Sequence, residues 1–239
     1  MDSPEGNKAL NEIAPRARQA YASQVAGAEA GHWWTAVIIT ASSKRQAERY
    51  EAEIRRRRES GRVPDGVTYM VAPDLDDERI GSGGATLNAL RLLAERDLRD
   101  ESSLEEWWAK QRVFIIHSGG DSRRLPQYSL SGKLFSALPV KTPWGEVSAV
   151  FDEMLALSTA WVEKLDSGLV VASGDVILTF DADELHWDTP GVRGVAMREP
   201  VAVGSKHGVY IADELGRVYS FLQKPTAAQV VAAGGMLPG

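Results

Sequence analysis

Val113-Phe114-Ile115-Ile116-His117-Ser118-Gly119-Gly120-Asp121-Ser122-Arg123-Arg124-Leu125-Pro126, followed shortly by Ser131-Gly132-Lys133, is the stretch that decides the fold. An apolar run ending on a glycine pair reads as a buried strand that turns sharply into a loop. Glycine carries no Cβ, so its backbone amides can approach an anion closely. Arg123, Arg124 and Lys133 bring positive charge to the place where a triphosphate would lie. A tight turn followed by solvated arginines would give the same letters, so the stretch alone leaves both readings open. A Walker A loop is excluded, because Lys133 is followed by Leu134 and lies too far from the first glycine.

Strand-like and helix-like segments alternate on either side. Residues 34–40 form a short apolar, β-branched run, and Ser42 or Ser43 can cap a helix that continues to about Ser60, stopped by Gly61 and Pro64. Residues 67–72 read as a second strand. Gly81-Ser82-Gly83-Gly84 opens a helix with Leu87, Leu90, Leu93 and Ala94 on one face. Residues 112–117 are the third strand. Ser148 is a candidate cap for a helix reaching Leu165, and residues 168–173 and 176–180 are again strand-like. The tail changes character, with short strands over 194–197, 208–212 and 217–222 and a turn at Asp213-Glu214-Leu215-Gly216. This order predicts an α/β fold: a mainly parallel sheet with helices on both faces and a substrate-facing β hairpin added to it. Residues 1–30 read as a helical extension and 31–239 as the main domain. The long polar loop over 125–142 is expected to be functional.

Composition narrows the function classes. The 239 residues are 44% hydrophobic and 25% charged, ordinary for a soluble globular protein. A net charge of -6 argues against a general nucleic-acid binder. The absence of cysteine excludes disulfides and thiolate metal sites. No apolar run approaches membrane-spanning length, and Met1 to Glu5 lacks the features of a signal peptide, so a cytoplasmic location is expected. Residues 232–239 end on helix breakers, as a frayed terminus or the cut end of a longer protein would. The Arg55 to Arg58 run sits among acidic neighbours and reads as a solvated face. The pairs Trp33-Trp34 and Trp107-Trp108 read as core anchors.

Four further groups can carry chemistry. Gly81, Ser82, Gly83 and Gly84 start a helix whose amides suit a phosphate or a base edge, or they simply ease the helix start; the third glycine of a dinucleotide fingerprint is missing. Asp175, after Ser173-Gly174 at a strand end, can hold a divalent cation or cap its own turn. Asp181 and Asp183 are weaker candidates of the same kind. Lys224 in Gln223-Lys224-Pro225 sits at the lip of a strand ended by proline. The four histidines show no metal-ligand spacing; His117 stands out beside the glycine turn, although a structural histidine would occupy the same position.

In their order, Gly119-Gly120, Arg124-Leu125-Pro126, Lys133, Gly174-Asp175 and Gln223-Lys224-Pro225 resemble the sugar-nucleotide pyrophosphorylases. Ile39-Thr40-Ala41-Ser42, the run from Arg79 to Leu87 and the run from His117 to Pro126 are similar to the L-fucose-1-phosphate guanylyltransferase family, which includes bifunctional fucokinase/GDP-fucose pyrophosphorylases. The resemblance implies a three-layer α/β/α, Rossmann-like (GT-A) nucleotidyltransferase fold. It further implies transfer of GMP from GTP to a sugar 1-phosphate with release of pyrophosphate. Carried over by motif, Gly119, Gly120, Ser122, Arg123 and Arg124 would hold the nucleotide phosphates, and Lys133 would neutralise the transferred group. Asp175 would bind Mg2+ (or Mn2+), Lys224 the sugar phosphate, and Gly81 to Gly84 would line the nucleotide pocket. Gln223 stands where the family has glutamate, and a second metal carboxylate is not visible. Family members continue into further C-terminal domains, so the chain is expected to be the N-terminal part of a longer protein. A uridylyl- or adenylyltransferase and a non-catalytic nucleotide-binding domain are the competing readings.

Overall fold

The computed structural model describes residues 8–27, 32–78, 80–98, 103–118, 132–187 and 190–236. They fall into two compact units, Met1–Asp188 and Thr189–Gly239.

The first unit is built on four parallel strands, β1 (Ala36–Ala41), β2 (Thr68–Pro73), β3 (Arg112–His117) and β6 (Gly168–Ser173), in the order β2-β1-β3-β6. β1 and β3 are buried on both faces, which is why both read as unbroken apolar runs. Their alternate residues serve opposite layers. Ala36 and Ile38 of β1 with Val113 and Ile115 of β3 join Ala89 and Leu93 of helix α3 (Gly81–Asp97). Val37, Ile39, Phe114 and Ile116 face the other way, into a larger cluster with Tyr50 and Ile54 of α2 (Lys44–Glu59) and Phe151, Met154 and Leu155 of α5 (Val150–Val162). Helices thus cover both faces, and the three-layer α/β/α expectation holds. Trp34, buried against a stacked Phe114 ring, donates its indole N–H to Ser158 Oγ at 2.8 Å, so this tryptophan does anchor the core.

Local chemistry sets the element ends. Ser43 caps α2 by accepting the Gln46 N–H at 3.2 Å, while Gln46 Oε1 accepts the Ser42 N–H at 2.8 Å. Ala149, not Ser148, occupies the cap position of α5, and its N–H is satisfied by Asp152 at 2.9 Å. Ser148 is buried in β5 (Val147–Ala149) and donates to Glu153, whose carboxylate also meets Arg18 of α1 (Ala14–Val25) at 2.8 Å. Leu87 is 69% exposed; the buried face of α3 runs through Ala85, Asn88, Ala89 and Leu93 instead. Arg57 departs furthest from the solvated face expected of its run. It is only 8% exposed, forks onto both Asp152 oxygens at 2.6 and 3.1 Å, and lies over the Phe135 ring at 5.0 Å. Five donors in a planar fork make that multiple pairing possible.

Part of the expected polar loop is ordered structure. Residues Lys133–Phe135 form a 3-10 turn and β4 (Ala137–Lys141) pairs antiparallel with β5. Residues 176–180 follow β6 without joining a ladder, so the strand expected there is absent, as is that over 194–197. In the second unit β7 (Gly208–Ala212) and β8 (Val218–Gln223) form the expected hairpin. Asp213 shapes its turn by accepting the Leu215 and Arg217 N–H groups at 3.0 and 2.9 Å. This hairpin is a two-stranded sheet by itself among the described residues.

Candidate functional site

In a parallel sheet the ligand end is the carboxyl end, at the point where strand order reverses direction. Here that point lies between β1 and β3, whose successors β2 and β6 run outward on opposite sides. The pairing register sets Thr40, His117 and Ser173 in one row at this edge. Gly174 follows directly. Its N–H donates to the His117 carbonyl at 2.8 Å, and a Cβ there would sit 3.1 Å from that oxygen and 3.4 Å from Leu134 Cδ1. The glycine of Ser-Gly-Asp is therefore a close-approach position that lets the β6 end fold onto the β3 end.

Two of the residues singled out in the sequence come together at this edge. Lys133 Nζ lies 3.6 Å from Asp175 Oδ2, and the Ser173 hydroxyl donates to Asp175 Oδ1 at 2.7 Å. Both charged side chains are well exposed, at 36% and 44%, so a ligand can reach them. Lys133 is delivered by its 3-10 turn. Ser136 donates both its N–H and its hydroxyl to the Lys133 carbonyl, at 3.0 and 2.6 Å.

His117 links the β3 end to the glycine-rich start of α3. The Thr86 hydroxyl donates to the Ser82 carbonyl at 2.9 Å, so it can only accept from His117 Nε2, 2.9 Å away. Nε2 therefore carries the ring proton, and Nδ1 accepts from the Thr40 hydroxyl at 3.2 Å. Burial holds the pKa of His117 below the ordinary imidazole value of 6.5, with the Asp74 carboxylate pulling weakly the other way. Both ring nitrogens are engaged, so His117 acts on this edge by holding Thr40 and Thr86 in place. Gly81, with φ of +75°, starts the turn, and Gly81, Ser82 and Gly83 are exposed.

Gly119, Gly120, Ser122, Arg123 and Arg124 lie outside the described residues. Lys224 belongs to the second unit, where its φ of +47° and an N–H donated to the His207 carbonyl at 2.8 Å fix the end of β8. Among the described residues no three His, Asp or Glu side chains gather around one point. One carboxylate beside a hydroxyl is too sparse a set for a protein-caged ion. It fits magnesium, which takes one or two carboxylates and completes its shell with phosphate oxygens and water. Sequence reasoning missed Thr40, Thr86 and Ser173, whose hydroxyls organise the edge. Thr40 and Ser173 at strand ends and Thr86 near the start of a helix carry no site signal by residue type alone.

A parallel α/β/α sandwich with a lysine–carboxylate pair and a glycine-started helix at its switch point defines the class, a nucleotidyltransferase-like domain. Residues 105–238 match the model of the fucose pyrophosphorylase domain, and the chain belongs to that family. It is 32% identical over 231 residues to the bifunctional fucokinase/GDP-fucose pyrophosphorylase of Arabidopsis thaliana, an alignment covering 85% of this chain and 22% of that protein. It is 33% identical over 210 residues to the fucose-1-phosphate guanylyltransferase of Mus musculus, covering 82% of this chain and 34% of the relative. The human protein of the same name is 30% identical over 209 residues, covering 82% and 33%. The chain thus spans no more than about a third of the length of these curated relatives. No solved structure matches significantly. No helix among the described residues is long and apolar enough to cross a membrane.

Proposed function

We propose that the chain joins L-fucose 1-phosphate to GTP, giving GDP-fucose and pyrophosphate. The observation that carries this reading is the Lys133–Asp175 pair, 3.6 Å apart at the carboxyl edge of the parallel sheet. The names of the relatives support the choice of sugar and product. Base choice rests on those names alone. A phosphate oxygen of the sugar attacks the α-phosphorus of the nucleotide in line; the bond from that phosphorus to the bridging oxygen breaks, and pyrophosphate leaves with the electron pair. No protein nucleophile is needed, so catalysis is positioning and charge stabilisation.

In this reading Lys133 turns from Asp175 to the α-phosphate and offsets the charge that builds there. Asp175, oriented by the Ser173 hydroxyl, would be the residue that holds a magnesium ion. That ion, when bound, would neutralise charge on the triphosphate. The exposed amides at Gly81 to Gly83 line the nucleotide side. By motif resemblance alone, Arg123 and Arg124 would hold the nucleotide phosphates and Lys224 the sugar phosphate. A cytoplasmic setting suits a GTP-consuming reaction, and the name of the bifunctional relative supports fusion to further domains.

A pyrophosphate-release screen of GTP, UTP and ATP against fucose, mannose and glucose 1-phosphates tests the proposal. Release with GTP and L-fucose 1-phosphate, lost in Lys133→Ala and Asp175→Asn at unchanged melting temperature, is the expected result. Preference for UTP or ATP would reassign the base. Nucleotide binding without turnover on any sugar phosphate would make this a non-catalytic domain.

A further inference from the structure

Tyr50 lies on α2, outside every motif that pointed to the site. Its side chain is fully buried, and its ring tilts against Phe135 at 5.3 Å. Its hydroxyl hydrogen-bonds the Ser118 hydroxyl, one residue past His117. The same hydroxyl lies where a side chain on Gly132 would have to be: a Cβ there would overlap it and would stand 3.0 Å from Cζ of the ring. Gly132 holds φ of +68° and ψ of 162°, a conformation essentially restricted to glycine. Lys133 is the next residue, and its own carbonyl is held from the far side by Ser136.

We infer that Tyr50 is a positioning residue that acts through Lys133. One buried phenol holds Ser118, which carries on from β3, beside Gly132, which leads into the lysine. The ring fixes the height of Gly132 above the sheet, and the hydroxyl fixes its distance from the β3 end. Together they set the backbone from which the ammonium reaches Asp175. An ordinary core tyrosine would need neither the hydroxyl nor the glycine. Both are present, and both meet at one oxygen atom. For its catalytic consequence the inference rests on the function proposed above; its structural content does not.

Tyr50→Phe keeps the ring and removes the oxygen, so it is the variant to test. GTP affinity measured by calorimetry should fall about fivefold to twentyfold, as should kcat. In a Lys133→Ala background the same change should have no further effect on GTP affinity, because the residue through which it acts is gone. An equal loss in both backgrounds, or none in either, would overturn the inference. A second readout needs no nucleotide. Tryptic cleavage after Lys133, followed by mass spectrometry, should accelerate at least fivefold in Tyr50→Phe at a nearly unchanged melting temperature, and an unchanged rate would overturn the positioning role. Wild-type protein that ignores GTP while Tyr50→Phe accelerates that cleavage would refute the proposed function and leave the positioning intact.

Discussion

Gly132→Ala should lower the stability of the fold by about 2–6 kcal/mol, and two separate effects make up the loss. The backbone at φ +68° and ψ 162° is reserved for glycine, which costs any other residue about 1–3 kcal/mol. The new methyl must also displace the buried Tyr50 ring, whose Cζ and Cε1 would lie 3.0 and 3.1 Å away, and overpacking of this kind costs about 1–3 kcal/mol more. Urea unfolding followed by tryptophan fluorescence reads the sum as a lowered midpoint at constant slope. Gly145→Ala is the control, because Gly145 has φ of +84° but open space around it, leaving about 1–2 kcal/mol of backbone strain alone. Adding Tyr50→Phe to Gly132→Ala should recover the share due to the hydroxyl and leave the backbone share. A Gly132→Ala loss no larger than that of Gly145→Ala would refute the reasoning.

Two other outcomes follow from the structure. The fold holds His117 neutral, with a pKa below 6.5, so its contribution to stability is complete above the unfolded value and is lost as pH falls from about 6.5 through the lower folded value. The melting temperature of the wild type should therefore drop over that window, and His117→Gln should flatten the drop; an identical profile in the variant would show that another group titrates. Arg57→Leu strips Asp152 of its forked partner, and Glu53 of its own at 2.8 Å, in a half-dry setting and should cost about 3 kcal/mol by urea unfolding. A single-variant loss under about 1 kcal/mol would mean the pair is solvated in practice.

What could be read from the letters divides along physical lines. Strands buried on both faces announce themselves, and β3 and β6 run over the very residues expected, 112–117 and 168–173. That Lys133 and Asp175 share a site was implied by the family resemblance, not by their spacing in the chain. Residues 176–180 mislead because apolar, β-branched letters favour a strand, whereas here they meet no ladder partner and leave Val176 and Ile177 exposed. The β4–β5 hairpin was hidden by Pro139 and by the exposed faces of β4. Arg57 and Tyr50 were hidden for a different reason. Their partners Asp152 and Ser118 are 95 and 68 residues away, and no local pattern distinguishes a paired arginine from a solvated one. Asp175, Ser173 and Lys133 illustrate the remaining limit, because a motif names the residues but only the fold sets the 3.6 Å between them.

The measurement that bears most directly on the account is the affinity for GTP with and without magnesium, in the wild type, Lys133→Ala and Asp175→Asn. The account predicts magnesium-strengthened binding in the wild type, weaker binding in Lys133→Ala that still responds to magnesium, and loss of the magnesium response in Asp175→Asn. Equal GTP affinity in all three proteins, indifferent to the metal, would contradict it.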